Sequence, residues 1–207
     1  MNDICAKLAK LESGVLGEPL GVDELMLAAV HQRAYMEALN AIDESDIKSS
    51  YLLQMLTVGA TYSIVMSLMK SYDRQTRKEE INTLRKLFLV SAKSDMAEQL
   101  FSEYDTENLN SVFVPLKNYR DKTLAHNESK ELLSWEQVDQ ALMVSVTAWS
   151  YVETKSESRI MFPFHSFSTV SSGLERLFSC EDLSLAKRAW DNYIANVMVA
   201  YEAGKCL

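Results

Sequence analysis

A long apolar stripe in the first half of the chain constrains the fold most strongly. Between Asp46 and Tyr72, apolar side chains recur at alternating steps of four and three residues, at Tyr51, Met55, Val58, Tyr62, Val65, Met69 and Tyr72. This spacing puts them on one side of a helix, and Leu52, Leu56 and Met66 widen that side. We interpret the segment as a core helix of an antiparallel bundle rather than as a methionine-rich cofactor site.

The same three-to-four spacing runs through most of the 207-residue chain. Six glycines and three prolines are too few for a turn-rich β architecture, and no segment alternates with period two. Capping-box spacing occurs at Thr76 with Glu79 and at Ser134 with Gln137. We predict an all-α bundle of seven to nine helices, with helices over 23–42, 46–72, 76–90, 94–104, 109–127, 135–157, near 172–175, and over 182–202.

Two irregular stretches suggest a division into three regions. Residues 13–21 hold three of the six glycines, and residues 159–167 are apolar but contain Pro163 and no helical period. We therefore expect an N-terminal helix and loop over 1–21, a helical bundle over 22–158, and a C-terminal helical extension over 159–207 that packs on the bundle. The stretch 159–167 is interpreted as a loop against the core, with a binding patch as the alternative.

Charge is distributed unevenly along this acidic chain. The net charge is −8 with a pI near 5.0, which disfavours a protein that coats nucleic acid without discrimination. Residues 70–93 nevertheless carry seven basic and three acidic side chains, including Arg74, Arg77 and Lys78. This segment is either a solvated helix face with local ion pairs or a surface that faces phosphates.

Cysteine and histidine usage argues against a metal or disulfide framework. Cys5, Cys180 and Cys206 show no C-x-x-C spacing, and the three histidines are scattered, so no metal site and no cofactor are expected. His31 and His165 have no local partner in the sequence. A reducing, cytoplasmic location fits this composition best, and neither a signal peptide nor a membrane span is expected.

The residues that most strongly indicate a catalytic function are Arg120 and His126, which lie six residues apart near the predicted end of a helix. A guanidinium binds phosphate and an imidazole carries protons near neutral pH. On an α-helix the two side chains would lie about 120° apart around the axis and about 9 Å apart along it. They would therefore converge better in a cleft shared by two copies. The alternative is that His126 caps the helix end while Arg120 pairs with a surface carboxylate.

The string Arg120-Asp121-Lys122-Thr123-Leu124-Ala125-His126 resembles the signature of the HEPN superfamily. The form R-D-K-x-x-A-H is most similar to its AbiU-like, abortive-infection branch. The preceding long apolar helix, which ends at Tyr72-Asp73-Arg74, and the short helix before the motif also resemble that branch. The resemblance covers roughly residues 22–158.

The resemblance implies a bundle that dimerises through its motif helices and a metal-independent ribonuclease of a phage-defence or toxin–antitoxin system. Arg120 would stabilise the charged phosphorane, His126 would transfer protons and Asp121 would orient its neighbours. Basic side chains nearby would bind RNA, namely Lys117, Lys122, Arg74, Arg77 and Lys78.

Glu128 departs from the Asp or Tyr found there in relatives, so control by modification of a tyrosine is not supported. An antitoxin or other protein partner is implied too. The alternative is a non-catalytic bundle that binds a protein or a nucleotide.

Overall fold

A computed structural model describes residues 21–42, 50–72, 83–91, 111–125, 132–155, 164–171 and 178–207. These ranges contain no β-strand, which confirms the predicted all-α class. They form seven α-helices: α1 Val22–Ala41, α2 Tyr51–Ser71, α3 Leu84–Ser91, α4 Val114–Asn118, α5 Trp135–Thr154, α6 Phe167–Val170 and α7 Cys180–Lys205. A π-helical segment, Tyr119–Ala125, continues directly from α4.

Three long helices, α1, α5 and α7, form the centre of the bundle. α7 packs along both α5 and α1, α2 lies on α1, and α3 lies on α5. Trp149, Trp190 and Tyr201 are the largest of the fully buried side chains, and they come from α5 and α7. The C-terminal helix therefore contributes directly to the core that it shares with α1 and α5.

Local signals explain where several helices begin. The predicted capping box at the start of α5 is present, since Ser134 Oγ accepts from the Gln137 backbone N–H and Gln137 Oε1 accepts from the Ser134 N–H. Ser179 and Asp182 cap α7 in the same way, with aspartate in place of the usual glutamate. Pro115 lies in the first turn of α4, where its missing N–H costs no hydrogen bond.

Close backbone approach fixes the crossing of α5 and α7. A Cβ added at Gly204 would lie 2.2 Å from the Thr147 carbonyl oxygen. Next to this crossing, the Thr147 hydroxyl donates to the Ala200 carbonyl at 3.1 Å. Only glycine fits where the two helices come this close, so the position helps to hold α7 against the core.

Helix α2 is buried along only half of its length. Val65, Met69 and Tyr72 are buried, whereas Tyr51, Met55, Val58 and Tyr62 from the same predicted stripe are exposed. The expectation of a buried stripe is therefore wrong for the N-terminal half, where a different side of the helix, with Leu53 and Ala60, packs partly against the core. By length and composition alone, α2 is also the one described helix that is long and apolar enough to cross a membrane.

The apolar stretch before α6 lies against the core where it is described. Phe164 and Phe167 are buried, and Phe164 contacts the rings of Trp149 and Tyr201. This agrees with a packed loop rather than a surface patch for residues 164–167. The predicted helices over 94–104 and 172–175, the cap at Thr76 and the loop over 13–20 lie outside the described residues.

Candidate active site

The motif segment begins on a short helix that is anchored in the core. Leu116 is fully buried on α4. Phe113, which directly precedes α4, packs against Tyr72 at the end of α2, with ring centroids 4.2 Å apart and planes tilted by 42°. The π segment that follows also contacts α2. The start of the motif is therefore held between α2 and α5.

The predicted single α-helix over 109–127 is wrong in its second half, which is π-helical from Tyr119 to Ala125. Tyr119 and Leu124 both pack partly against the core. Because a π turn closes between residues five apart, it brings both of these side chains toward the same side. The angle predicted between Arg120 and His126 assumed an α-helix and does not apply to this segment. Such π turns occur frequently at functional sites.

Arg120 and Asp121 form an ion pair at the surface of the π segment. Arg120 Nε donates to Asp121 Oδ1 at 2.6 Å, and the two side chains are 31% and 39% exposed. A guanidinium carries five N–H donors, so a bond from Nε leaves the four N–H groups of Nη1 and Nη2 able to donate to a ligand. The carboxylate therefore orients the guanidinium while it stays accessible from solvent.

Two lysines flank this ion pair. Lys117 is partly buried at the end of α4, and Lys122 is exposed on the π segment. Residues 117–122 contain three basic side chains and one acidic side chain, a local charge of 3 − 1 = +2 in a chain of net charge −8. The surface around Arg120 thus favours an anionic ligand more than the whole molecule does.

His126 and the basic residues Arg74, Arg77 and Lys78 lie outside the described residues. The site geometry is therefore described for Arg120, Asp121, Lys117 and Lys122. Within the described ranges, no group of three or more His, Cys, Asp or Glu side chains is placed to hold a metal ion.

A second polar cluster, which sequence reasoning did not identify, centres on Arg33 of α1. Arg33 is 3% exposed and binds Asp139 of α5 through two bonds of 2.8 Å, from Nε and Nη2. Its Nη1 pairs with Glu37 at 2.5 Å, and the guanidinium lies over the rings of Trp135 and Tyr193. Burial alone would lower the pKa of Arg33, but the bonds to Asp139 outweigh it and raise the pKa.

Asp139 also accepts a 2.8 Å hydrogen bond from the Tyr193 hydroxyl of α7. Burial, followed by the nearby charge of Asp139, raises the pKa of Tyr193. The cluster thus joins α1, α5 and α7 through one carboxylate. It borders a shallow groove of about 740 Å³ whose apolar lining includes Trp135 and Met143. Since its charges satisfy one another, we assign the cluster to stability rather than to catalysis.

A third cluster brings together the two histidines that had no local partner in the sequence. His31 Nε2 accepts a 3.1 Å hydrogen bond from the backbone N–H of His165, and the imidazole of His31 stacks on Trp190. Burial, and secondarily the charge of His165, lowers the pKa of His31 to about 4. A neutral imidazole with an unprotonated Nε2 therefore joins α1 to the segment before α6.

This arrangement predicts that acid destabilises the fold through His31. Between its ordinary pKa of 6.5 and about 4, the unfolded chain binds a proton that the folded chain does not, so stability falls as pH falls across that range. The full loss is about 3 kcal/mol. His31→Gln keeps an acceptor but cannot titrate. Urea unfolding between pH 7 and pH 4 should show a smaller loss for this variant, and equal losses in the two proteins would contradict the prediction.

Comparison with protein-family models, with curated proteins and with solved structures found no match to this chain. The functional assignment consequently depends on the motif and on the geometry around Arg120.

Proposed function

We propose that this protein is a metal-independent endoribonuclease of the HEPN type, acting in a phage-defence or toxin–antitoxin system in the cytoplasm. The observation that carries the proposal is the R-D-K-x-x-A-H string, whose arginine is accessible on a π-helical segment and oriented by the adjacent aspartate. The local positive charge at residues 117–122 supports an anionic substrate.

The proposed reaction is an internal transesterification of RNA. The ribose 2′-oxygen attacks the adjacent phosphorus, its proton passes to a base, and the 5′-oxygen of the next nucleotide leaves with a proton. The products are a 2′,3′-cyclic phosphate and a 5′-hydroxyl. The 2′-OH requirement restricts the substrate to RNA. His126 transfers the protons, and Arg120 stabilises the negative charge that develops on the phosphorane oxygens.

In this proposal two copies share the cleft through their motif segments, so that Arg120 and His126 from both copies line it. Lys117 and Lys122 hold the flanking phosphates, together with the basic segment that contains Arg74, Arg77 and Lys78. Each phosphate contact makes RNA affinity fall with salt. An antitoxin or another protein partner would restrain the activity in the cell.

The proposal predicts that cleavage of RNA survives chelation of metals. The reaction requires only a proton carrier and a cationic group, and both are side chains of this chain. We expect equal cleavage of a long single-stranded RNA with and without excess EDTA, and products that carry a cyclic phosphate end. Loss of cleavage in EDTA that added magnesium restores would show that a different site performs the chemistry.

A non-catalytic bundle that binds a protein or a nucleotide is the second candidate function. It is favoured by the net charge of −8, since an acidic molecule repels a polyanionic RNA more strongly than it repels a protein or a single nucleotide. Purified protein that binds an RNA oligonucleotide or a nucleotide but yields no cyclic phosphate would support this function and exclude the first.

A further inference from the structure

The exposed half of α2 presents a continuous apolar surface. Tyr51, Leu52, Met55, Leu56, Val58 and Tyr62 are each between 48% and 75% exposed, and we call these six side chains the α2 apolar face. Scattered exposed apolar residues are normal on a soluble protein, but a contiguous patch of several hundred Å² marks an interaction site. The α2 apolar face therefore requires a covering partner.

Polar groups on this part of α2 would cost little to bury. The hydroxyl of Thr57 donates to the Leu53 carbonyl at 2.9 Å, and that of Thr61 donates to the Thr57 carbonyl at 2.8 Å. No charged residue occurs between Tyr51 and Met69. A partner that covers the face thus leaves no buried charge and few unpaired polar atoms, which are the groups that oppose burial most strongly.

The order of side chains along the face suits a second copy of the same chain. Tyr51, Met55, Val58 and Tyr62 form its central stripe, and their positions are symmetric about the point between Leu56 and Thr57. If two α2 helices pair antiparallel about a two-fold axis there, Tyr51 meets Tyr62 of the second copy and Met55 meets Val58 of the second copy. Such a self-complementary contact is the isologous arrangement of two-fold dimers.

The space around the helix also suits this pairing. Among the residues that the structure describes, no atom lies within 4 Å of a Cβ built at Gly59, so these residues leave room for a second helix there. In an antiparallel pair the buried C-terminal halves of the two α2 helices lie at opposite ends, which keeps the two bundles apart. The six side chains offer roughly 600 Å² per copy when about 150–250 Å² for a large side chain is scaled by its exposed fraction. Two copies would therefore bury about 1,200 Å² in total, which is the lower limit for a specific stable interface.

A membrane is a poorer occupant of the same face. Ile64, Val65, Leu68 and Met69 of α2 are buried in the bundle, so α2 cannot span a bilayer without leaving the core. The half that carries the α2 apolar face, Tyr51 to Tyr62, is about 18 Å long, whereas the hydrocarbon layer is about 30 Å thick. The preceding residues 43–49 carry three acidic side chains and one lysine, which an anionic membrane surface repels.

We propose that the α2 apolar face is a homodimer interface in which two copies pair their α2 helices antiparallel. The α2 apolar face and the motif segment share no residue, and the proposal holds whether or not the protein cleaves RNA.

Val58→Glu tests this interface, because a glutamate near the centre of the stripe places charges of both copies in an apolar contact. The matched control is Val199→Glu on α7, which replaces a valine of similar exposure, 71% against 65%. We expect light scattering at micromolar concentration to show that Val58→Glu halves the mass of the assembly. Val199→Glu should leave the mass unchanged and melt within about 2 °C of the wild type, as surface substitutions do. Val58→Glu should stay folded but melt lower than the wild-type dimer, because it loses the stabilisation that a partner subunit provides.

Three results would overturn the proposal. An assembly whose mass is the same in wild type and Val58→Glu would exclude the α2 apolar face as the contact. Monomeric wild-type protein that floats with phosphatidylcholine–phosphatidylglycerol vesicles, and no longer floats as Val58→Glu, would assign the face to a membrane. Monomeric wild-type protein with a Val58→Glu variant that melts several degrees lower would assign it to another segment of the same chain.

Discussion

Replacing either Arg120 or His126 with alanine is expected to reduce the rate of RNA cleavage by roughly 10²–10⁴-fold. Loss of a positioned proton carrier costs this much in general acid–base catalysis. Loss of a donor to a developing oxyanion costs a similar amount. Because both groups act on one transition state, the double variant should lose much less than the product of the two single effects. The measurement is the rate of cyclic-phosphate formation from a single-stranded RNA.

Stability should change little in the Arg120 variant. Arg120 is partly exposed and its pairing with Asp121 lies at the surface, where an ion pair contributes about 0–1 kcal/mol. Thermal melting then separates a catalytic from a structural role. An Arg120→Ala variant that melts several degrees lower and cleaves RNA at the wild-type rate would mean that the side chain serves the fold alone.

Arg188→Ala provides the matched control for charge. Arg188 is an exposed arginine on α7, and its removal changes the net charge by the same amount as Arg120→Ala. We expect the control to cleave RNA at close to the wild-type rate. Equal losses in the two variants would indicate that the effect comes from general attraction of RNA to the molecule.

Helices of this protein could be predicted from the sequence where the local pattern decides the structure. The apolar spacing and the Ser134–Gln137 box locate α5 to within a few residues of its observed end. These features depend on backbone propensity and on contacts within one helix, which a sequence displays directly.

The burial of α2 could not be predicted in the same way. Its apolar stripe continues unchanged from Tyr51 to Tyr72, yet only its C-terminal part is enclosed. Periodicity identifies the apolar side of a helix but not what covers that side. A stripe that serves a core and a stripe that serves an interface between molecules have the same spacing.

For the candidate site, the sequence could suggest only contacts between adjacent residues. Arg120 pairs with Asp121, which is expected both for a carboxylate that orients a catalytic arginine and for the alternative of a surface ion pair. The π-helical turn around them depends on Tyr119 and Leu124 meeting the core, a tertiary effect without a sequence signal. The pairs His31–His165 and Arg33–Asp139 join residues more than 100 positions apart. The spacing rules for helices relate residues within a few turns of one helix and cannot pair residues so far apart in the sequence.

The largest loss of stability is expected from removing the carboxylate of Asp139. Asp139→Ala would leave the Arg33 guanidinium, which is 3% exposed, without its two-bond partner and would deprive the Tyr193 hydroxyl of its acceptor. Breaking a buried ion pair costs about 3–5 kcal/mol, and we expect the lower end of that range here, because Asp139 is 27% exposed and Glu37 stays beside Arg33. For a domain of this size that corresponds to a melting temperature lower by roughly 10 °C.

Two further variants distinguish the stability lost through a buried charge from the stability lost through poorer packing. Asp191→Ala removes an exposed carboxylate that lies 3.9 Å from Lys187, and a surface pair of this kind contributes less than about 1 kcal/mol. The double variant Arg33→Met with Asp139→Leu removes both buried charges and keeps apolar volume, so it should be more stable than Asp139→Ala. If Asp139→Ala and Asp191→Ala instead have the same melting temperature, the Arg33 charge is not buried without a partner in the variant. That result would mean that water reaches Arg33 and that the cluster does not hold α1, α5 and α7 together.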